Sequence, residues 1–496
     1  MISRRNLIAG ALGSAGALAP SFSALAEVPS TPERATSGRI IQVLGMQLVE
    51  GSQPVRLRGI NLGGWMTIED YMIGLPWTEW KIREQFRQVL GEEKYHAFFG
   101  AWAEFFIAEP DIAFLSRQGV NFVRLPLNYR HFESDLDPGK WIEAGFQQMD
   151  RTVRLCARHG IHILLDIHAA PGAQARDQNA GSAYGEAYFW YQRDFMDRVI
   201  ALWTEIARRY QGNPAILGYN LICEPVTRDV DLLNSFYARA IKTVREVDKQ
   251  HLIVLDPNLW AKDVSSLRDA LFEDPQVVPA LHHYHVEFPE FLALKEFPAV
   301  VNGKKFDRAA LERTLDGKHD ESRIRRPHLV TEFGPTRSFS QEYAVQLAIN
   351  RELISIFEEK DWGWSMWCYK DIRHMGLLTP RKDTPWLQFL DSKEVEGFLR
   401  SYRALEEPFI DGVAKLLAPT DIDPDTREQW AGEVRRDFDP PALDYVLKRL
   451  RTRTPGELSG MAKSFAFDNC DIHSDQLGIL KPFWQKNRPA EKTQLP

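Results

Sequence analysis

Two glutamates stand where acidic residues are scarce. Glu224 follows Tyr219-Asn220-Leu221-Ile222-Cys223, and Glu332 follows Leu329-Val330-Thr331. Both runs read as short β-strands. A carboxylate at the end of a strand must face a polar cavity or a partner, because an unpaired buried charge is costly. Two carboxyls facing each other across a hollow can share the cleavage of an acetal: one protonates the leaving oxygen, the other attacks the carbon. The competing reading is a local ion pair for each, for instance with Arg124.

A second polar concentration is His282-His283-Tyr284-His285. Three histidines suggest a metal, and metal-dependent hydrolases also use barrels. Those enzymes need a His-x-His at the end of the first strand, where this chain has Gly59-Ile60-Asn61-Leu62-Gly63-Gly64-Trp65. One strand sends alternate side chains to opposite faces and cannot close a metal shell alone. His282 and Tyr284, two apart, instead share a face, and Tyr284 could hydrogen-bond Glu332 and hold it ionised. No metal site is expected. The four cysteines, Cys156, Cys223, Cys368 and Cys470, form no C-x-x-C pair, and there is no dinucleotide or haem motif. No cofactor is expected either.

The elements that must position these residues repeat one plan. Eight apolar runs, at 56–62, 121–125, 162–167, 216–221, 252–255, 277–284, 328–332 and 363–367, alternate with amphipathic stretches such as 146–159, 192–210, 231–247 and 341–360. Strands alternating with helices give a parallel sheet, and eight such units over this length suit a closed (β/α)₈ TIM barrel. Arg124, His168, Glu224, His282, Tyr284, Glu332 and Trp367 fall at or just past strand ends, the face where such barrels carry their sites. A small hairpin is expected at 40–43 and 46–49. The barrel spans 38–398, and 399–496 reads as a helical extension, with Leu443, Val446, Leu447 and Leu450 as a packing stripe.

Residues 1–26 do not belong to this plan. Paired arginines at Arg4-Arg5, a short Ala/Gly-diluted apolar run and a closing Ala24-Leu25-Ala26 form an export signal of the twin-arginine type. It implies a periplasmic or secreted protein. No later run reaches the length of apolar residues a membrane span needs. A net charge of −7 offers no field for nucleic acid. Oligomeric state is not legible.

In order along the chain come Arg58-Gly59-Ile60-Asn61-Leu62-Gly63-Gly64-Trp65, Val123-Arg124-Leu125-Pro126, Asp166-Ile167-His168-Ala169-Ala170-Pro171-Gly172, Glu224-Pro225, His282-His283-Tyr284, Thr331-Glu332-Phe333-Gly334 and Trp364-Ser365-Met366-Trp367. Together they resemble glycoside hydrolase family 5 over about two-thirds of the chain, with motifs closest to its exo-β-1,3-glucanase-like members. The resemblance implies Glu224 as acid/base and Glu332 as nucleophile, with Arg124 paired to the nucleophile. It also implies His168, His282 and Tyr284 around the reacting sugar, Trp367 beneath it, and Glu69 on a terminal sugar. A retaining, exo-acting hydrolase of β-glucans or β-glucosides follows from it, with the insertions at 69–108 and 174–189 as pocket walls and an oligo- or polysaccharide as partner.

One residue departs from the pattern. The family places Asn before the acid/base, where its amide meets the sugar 2-hydroxyl; this chain has Cys223, and a thiol is a weak donor. Two other readings follow: a carbohydrate-binding barrel without catalysis, motivated by Cys223, and a metal-dependent hydrolase built on the histidines.

Overall fold

The computed structural model describes residues 38–285, 288–316, 323–336, 341–373, 375–417 and 439–487. The expected export signal lies outside them. All eight expected strands are present: β1 (Arg58–Asn61), β2 (Phe122–Asn128), β3 (His162–Ala169), β4 (Ile216–Asn220), β5 (Leu252–Leu255), β6 (Val277–His282), β7 (Leu329–Phe333) and β8 (Gly363–Met366). Each runs parallel to the next, and β8 pairs with β1 to close the barrel. The expected amphipathic stretches form the helices Glu143–Arg158, Arg193–Tyr210, Val230–Val247 and Tyr343–Glu359.

Side-chain alternation decides what enters the lumen. On β3, Ile163, Leu165 and Ile167 pack outward under the helices, whereas Leu164 points inward. Asp166 and His168 follow Leu164 at the same period. The lower lumen is apolar, filled by residues such as Phe122, Leu164, Leu252, Val278 and Leu329. The hairpin of Ile41–Leu44 and Gln47–Glu50, joined by a third strand Gln53–Pro54, contributes Ile41 and Leu48 to that cluster. The next layer up is polar. Asn61 lies level with Arg124, Asp166 with Asn220, and His282 with Glu332.

One strand breaks the alternation. Val330 packs with the outward-facing core, so a regular β7 would send Glu332 outward too. Instead the register on β6 shifts from Val330 opposite Leu281 to Glu332 opposite His282. Two residues of β7 match one of β6, and this bulge turns the Glu332 carboxyl into the lumen.

The insertion after β1 forms the helices Asp70–Ile73, Glu79–Leu90 and Glu92–Phe105. The C-terminal helices Asp439–Arg449 and Pro455–Ala462 pack on the last two of these. Buried Lys370 fastens the junction: its Nζ donates to the Phe106 carbonyl at 2.6 Å and the Phe465 carbonyl at 2.9 Å, and pairs with Asp111 at 2.5 Å. Leu443, Val446, Leu447 and Leu450 are fully buried, as their spacing implied. The expected boundary at 398/399 falls inside the helix Lys393–Leu417. The extension is also not wholly helical, since Cys470–Ile472 pairs antiparallel with Leu378–Pro380. Three residues without a periodic pattern gave no strand signal. No helix among the described residues is long and apolar enough to cross a membrane.

Candidate active site

The two glutamates meet. Glu224 follows β4 in a left-handed backbone conformation, φ 48°, a strained state for a residue with a side chain. Glu332 enters from β7 through the bulge. Glu224, His282 and Glu332 each bring one polar atom within 4.8 Å of the other two. Most of each side chain is buried, yet 12% of Glu224 and 6% of Glu332 remain open to solvent.

Every oxygen of the pair has a partner. Arg124 donates to Glu332 Oε1 at 2.6 Å, and the Tyr284 hydroxyl donates to Oε2 at 2.9 Å. His282 Nδ1 lies 2.8 Å from Glu224 Oε1 and 3.6 Å from Glu332 Oε2. Asn179 donates to Glu224 Oε2 at 2.9 Å. The expected contact of Tyr284 with Glu332 is therefore present, although β6 ends at His282 and Tyr284 reaches the site from beyond the strand. The expected ion pair of Arg124 with Glu332 is present too, and it lies inside the shared site.

Charge here is set by neighbours rather than by exposure. Burial alone would lower the pKa of His282, but the carboxylates of Glu332, Asp256 and Glu224 raise it to about 9. Burial alone would raise that of Glu224, but the hydrogen bond and charge of His282, with help from His168 and Lys262, bring it down to about 2. At neutral pH the site thus carries a protonated His282 against an ionised Glu224. The site's mobile proton rests on the imidazole.

Beneath the pair lies a network that fixes it. Arg124 is wholly buried and also reaches Asp166 at 3.0 Å, Asn220 Oδ1 at 3.0 Å and Asn61 Oδ1 at 3.2 Å. Asp256 accepts from the Asn220 amide at 2.8 Å and from the Glu224 backbone N–H at 3.0 Å. Asn61 and Asn220 join this layer as neutral amides, so they add hydrogen bonds without adding charge. Burial pushes the Asp256 carboxyl upward.

Of the remaining expected residues, His168, Trp367 and Cys223 are buried and Glu69 is half-buried. His168 Nδ1 donates to Asp166 Oδ2 at 2.9 Å, and its ring stacks on Trp367 with centroids 5.2 Å apart and planes 6° apart. Burial lowers its pKa, but the Asp166 bond and charge produce a net rise. The Trp367 indole donates to the Tyr71 hydroxyl at 2.6 Å. Glu69 is half-buried just before the helix Asp70–Ile73, two residues from Tyr71, and its charge acts on the Cys368 thiol. Cys223 Sγ lies 3.9 Å from Glu332 Oε1 with 1% of the residue exposed. Burial, and then Asp166, push its pKa well up, so it remains a thiol. A thiol held in its neutral form is a weak nucleophile.

Asp166, Asp256, Asn220, Asn61 and Asn179 were not foreseen. Asp166 had a signal, since it lies two before His168 on one strand. Asp256 directly follows β5, an acidic residue at a strand end as Glu332 and Glu224 are near theirs. Asn179 had none, because its placement is decided by loop packing. The four cysteines are free thiols. Three groupings bring metal-type donors together: Asp166 with His168 and Cys223, Cys223 with Asp256 and His282, and Glu224 with His282 and Glu332. Their carboxylates already have cationic neighbours: Asp166 and Glu332 pair with Arg124, and Glu224 and Asp256 lie beside His282.

Carboxyls about 5–5.5 Å apart perform double displacement on glycosides, whereas inverting enzymes space them about 6.5–9.5 Å apart to admit water. One oxygen of Glu224 and one of Glu332 lie within 4.8 Å of each other, close enough for both to meet a single sugar. A (β/α)₈ barrel with this pair at its C-terminal face is a glycoside hydrolase. The model of the cellulase family, glycosyl hydrolase family 5, matches residues 85–372. A β-xylosidase of Phanerodontia chrysosporium is 32% identical over 467 residues, 88% of this chain and 96% of its own length. A glucan 1,3-β-glucosidase of Pichia angusta is 25% identical over 249 residues, 47% of this chain and 55% of its own. Endoglucanase C of Acetivibrio thermocellus is 24% identical over 344 residues, 63% and 90% respectively. The chain belongs to glycosyl hydrolase family 5.

Proposed function

We propose that this enzyme hydrolyses β-glucosidic bonds from a chain end with retention of configuration, Glu332 acting as nucleophile and Glu224 as acid and then base. The carrying observation is the single cluster of Glu224, His282 and Glu332 within 4.8 Å. In the first step Glu332 attacks the anomeric carbon, the bond to the leaving oxygen breaks, and Glu224 passes to that oxygen the proton it takes from His282. In the second, Glu224 takes a proton from water, whose oxygen displaces Glu332 and restores the carboxylate. Arg124 and Tyr284 orient the nucleophile. His168, His282 and Cys223 line the reacting sugar, Trp367 offers it a ring face, and Glu69 meets its far end. Glu332→Ala and Glu332→Gln should abolish turnover in a folded protein; normal turnover in either would end this assignment.

A β-xyloside substrate is the second reading, favoured by the near-complete length match to a β-xylosidase. Xylosides lack the C6 hydroxymethyl group, so 4-nitrophenyl β-xyloside and β-glucoside assayed side by side with a β-1,3-glucan decide between them. Full activity in excess EDTA would remove the metal-hydrolase alternative. Binding of all these sugars without cleavage would favour the non-catalytic one. Arg4-Arg5 and the apolar run ending at Ala26 support export to the periplasm or beyond.

A further inference from the structure

Glu224 is held from two sides, and the second side has no role in the reaction as described so far. His282 takes Oε1; Asn179 takes Oε2. Asn179 Oδ1 accepts the Ala180 backbone N–H at 3.0 Å, which fixes the amide so that its NH₂ end meets the carboxylate.

The loop bearing Asn179 is fastened along its length. The Thr78 hydroxyl donates to the Gln178 carbonyl at 3.1 Å, the Trp80 indole to the Gly181 carbonyl at 3.0 Å, and the Trp190 indole to the Gln174 carbonyl at 2.8 Å. On the other flank the Trp260 indole donates to Asp177 at 2.7 Å. Trp260 belongs to the loop after β5, where Leu259, Trp260 and Ala261 all have left-handed backbones, φ 56°, 57° and 58°. Such strain persists only where the surroundings impose it. The Asn258 side chain, just before them, exchanges two hydrogen bonds with the Thr227 backbone, at 3.0 and 2.8 Å. Loops after β3, β4 and β5 are thus stitched together around one flank of Glu224.

We propose that Asn179 is a positioning residue for the acid/base, resting on the reading of Glu224 given above. Once the proton that Glu224 draws from His282 has passed to the leaving oxygen, the Glu224 carboxyl is anionic again. A hydrogen bond to an ionised oxygen is stronger than one to a neutral carboxyl. The Asn179 amide therefore favours the state that follows proton transfer, and it speeds departure only of leaving groups that need the proton.

The test compares 2,4-dinitrophenyl β-glucoside, whose leaving group departs unaided, with 4-methylphenyl β-glucoside, whose leaving group requires protonation. In Asn179→Ala the ratio of their kcat/KM values should rise by about tenfold or more in favour of the activated substrate. Asn179→Asp keeps the shape but sets a carboxylate on Glu224. Because like charges disfavour ionisation, its kcat/KM profile should move toward higher pH by about one unit or more. A ratio within about twofold of the parent in Asn179→Ala, with an unmoved profile in a folded Asn179→Asp, would overturn the proposal. Glu224→Ala separates the two levels. If it shows no leaving-group dependence of its own, the acid/base reading fails; if it does while the Asn179 variants stay silent, only the role of Asn179 fails.

Discussion

His282 Nδ1 stands 2.8 Å from Glu224 Oε1 and 3.6 Å from Glu332 Oε2, so one imidazole bridges both carboxylates of the reaction. It carries the proton that Glu224, brought down to about 2, does not keep in the free enzyme. In the proposed mechanism the pair works as one acid, with the imidazole as reservoir and the carboxyl as the point of delivery.

A pH dependence follows. With His282 raised to about 9, the proton is present at neutral pH and is lost as pH rises through that value. kcat/KM should be level near neutrality and fall on the alkaline side with an apparent pKa near 9. His282→Gln should bring that limb to lower pH. The same shift acts on stability. A raised histidine contributes stability that is complete below its unfolded value, about 6.5, and vanishes as pH rises through about 9. Thermal midpoints of parent and His282→Gln should accordingly converge above that pH.

Arg124 is the cation on which the polar layer depends. Arg124→Met removes it from Glu332 and Asp166 and leaves two buried carboxylates without their shared cation, a change of about 3–5 kcal/mol in stability. Arg124→Lys keeps the charge without the planar fork and cannot reach both acids together with Asn220 and Asn61. Denaturant melts should rank parent above Lys above Met, with activity falling in the same order.

Cys223 gives a specificity prediction. The thiol lies beside Glu332 Oε1 and offers the 2-hydroxyl of the sugar little. Cys223→Asn should increase the preference for a glucoside over its 2-deoxy analogue by about tenfold, or 1.4 kcal/mol. An unchanged ratio in a folded variant would mean that the 2-hydroxyl is bound elsewhere.

Lys370 tests whether the C-terminal region is integral to the barrel. Lys370→Met strands Asp111 without its charge partner and frees the Phe106 and Phe465 carbonyls, all in buried surroundings. A loss of about 3–5 kcal/mol is expected in a single cooperative unfolding transition. Two separate transitions would instead mark the extension as an independent unit.

The chain announces its barrel because all eight strands are short apolar runs set between amphipathic helices. Strand ends also exposed the site, since Glu224, His282 and Glu332 are polar where such runs stop. What stayed hidden depends on contacts rather than on local pattern. The inward turn of Glu332 needs the bulge after Val330, which the composition of β7 does not encode. Asn179 reaches Glu224 only because Thr78 and Trp80, Trp190, and Trp260, from three different stretches of chain, pin its loop. Cys470–Ile472 becomes a strand because Leu378–Pro380 offers it an edge.

The central claim is a covalent glycosyl intermediate on Glu332, and trapping it is the most direct test. Incubation with a 2-deoxy-2-fluoro-β-glucosyl fluoride, whose fluorine slows the second step, should add one sugar mass to the intact protein and place it on the peptide containing Glu332. Steady turnover of ordinary substrate with no adduct, or an adduct on any other residue, would contradict the account.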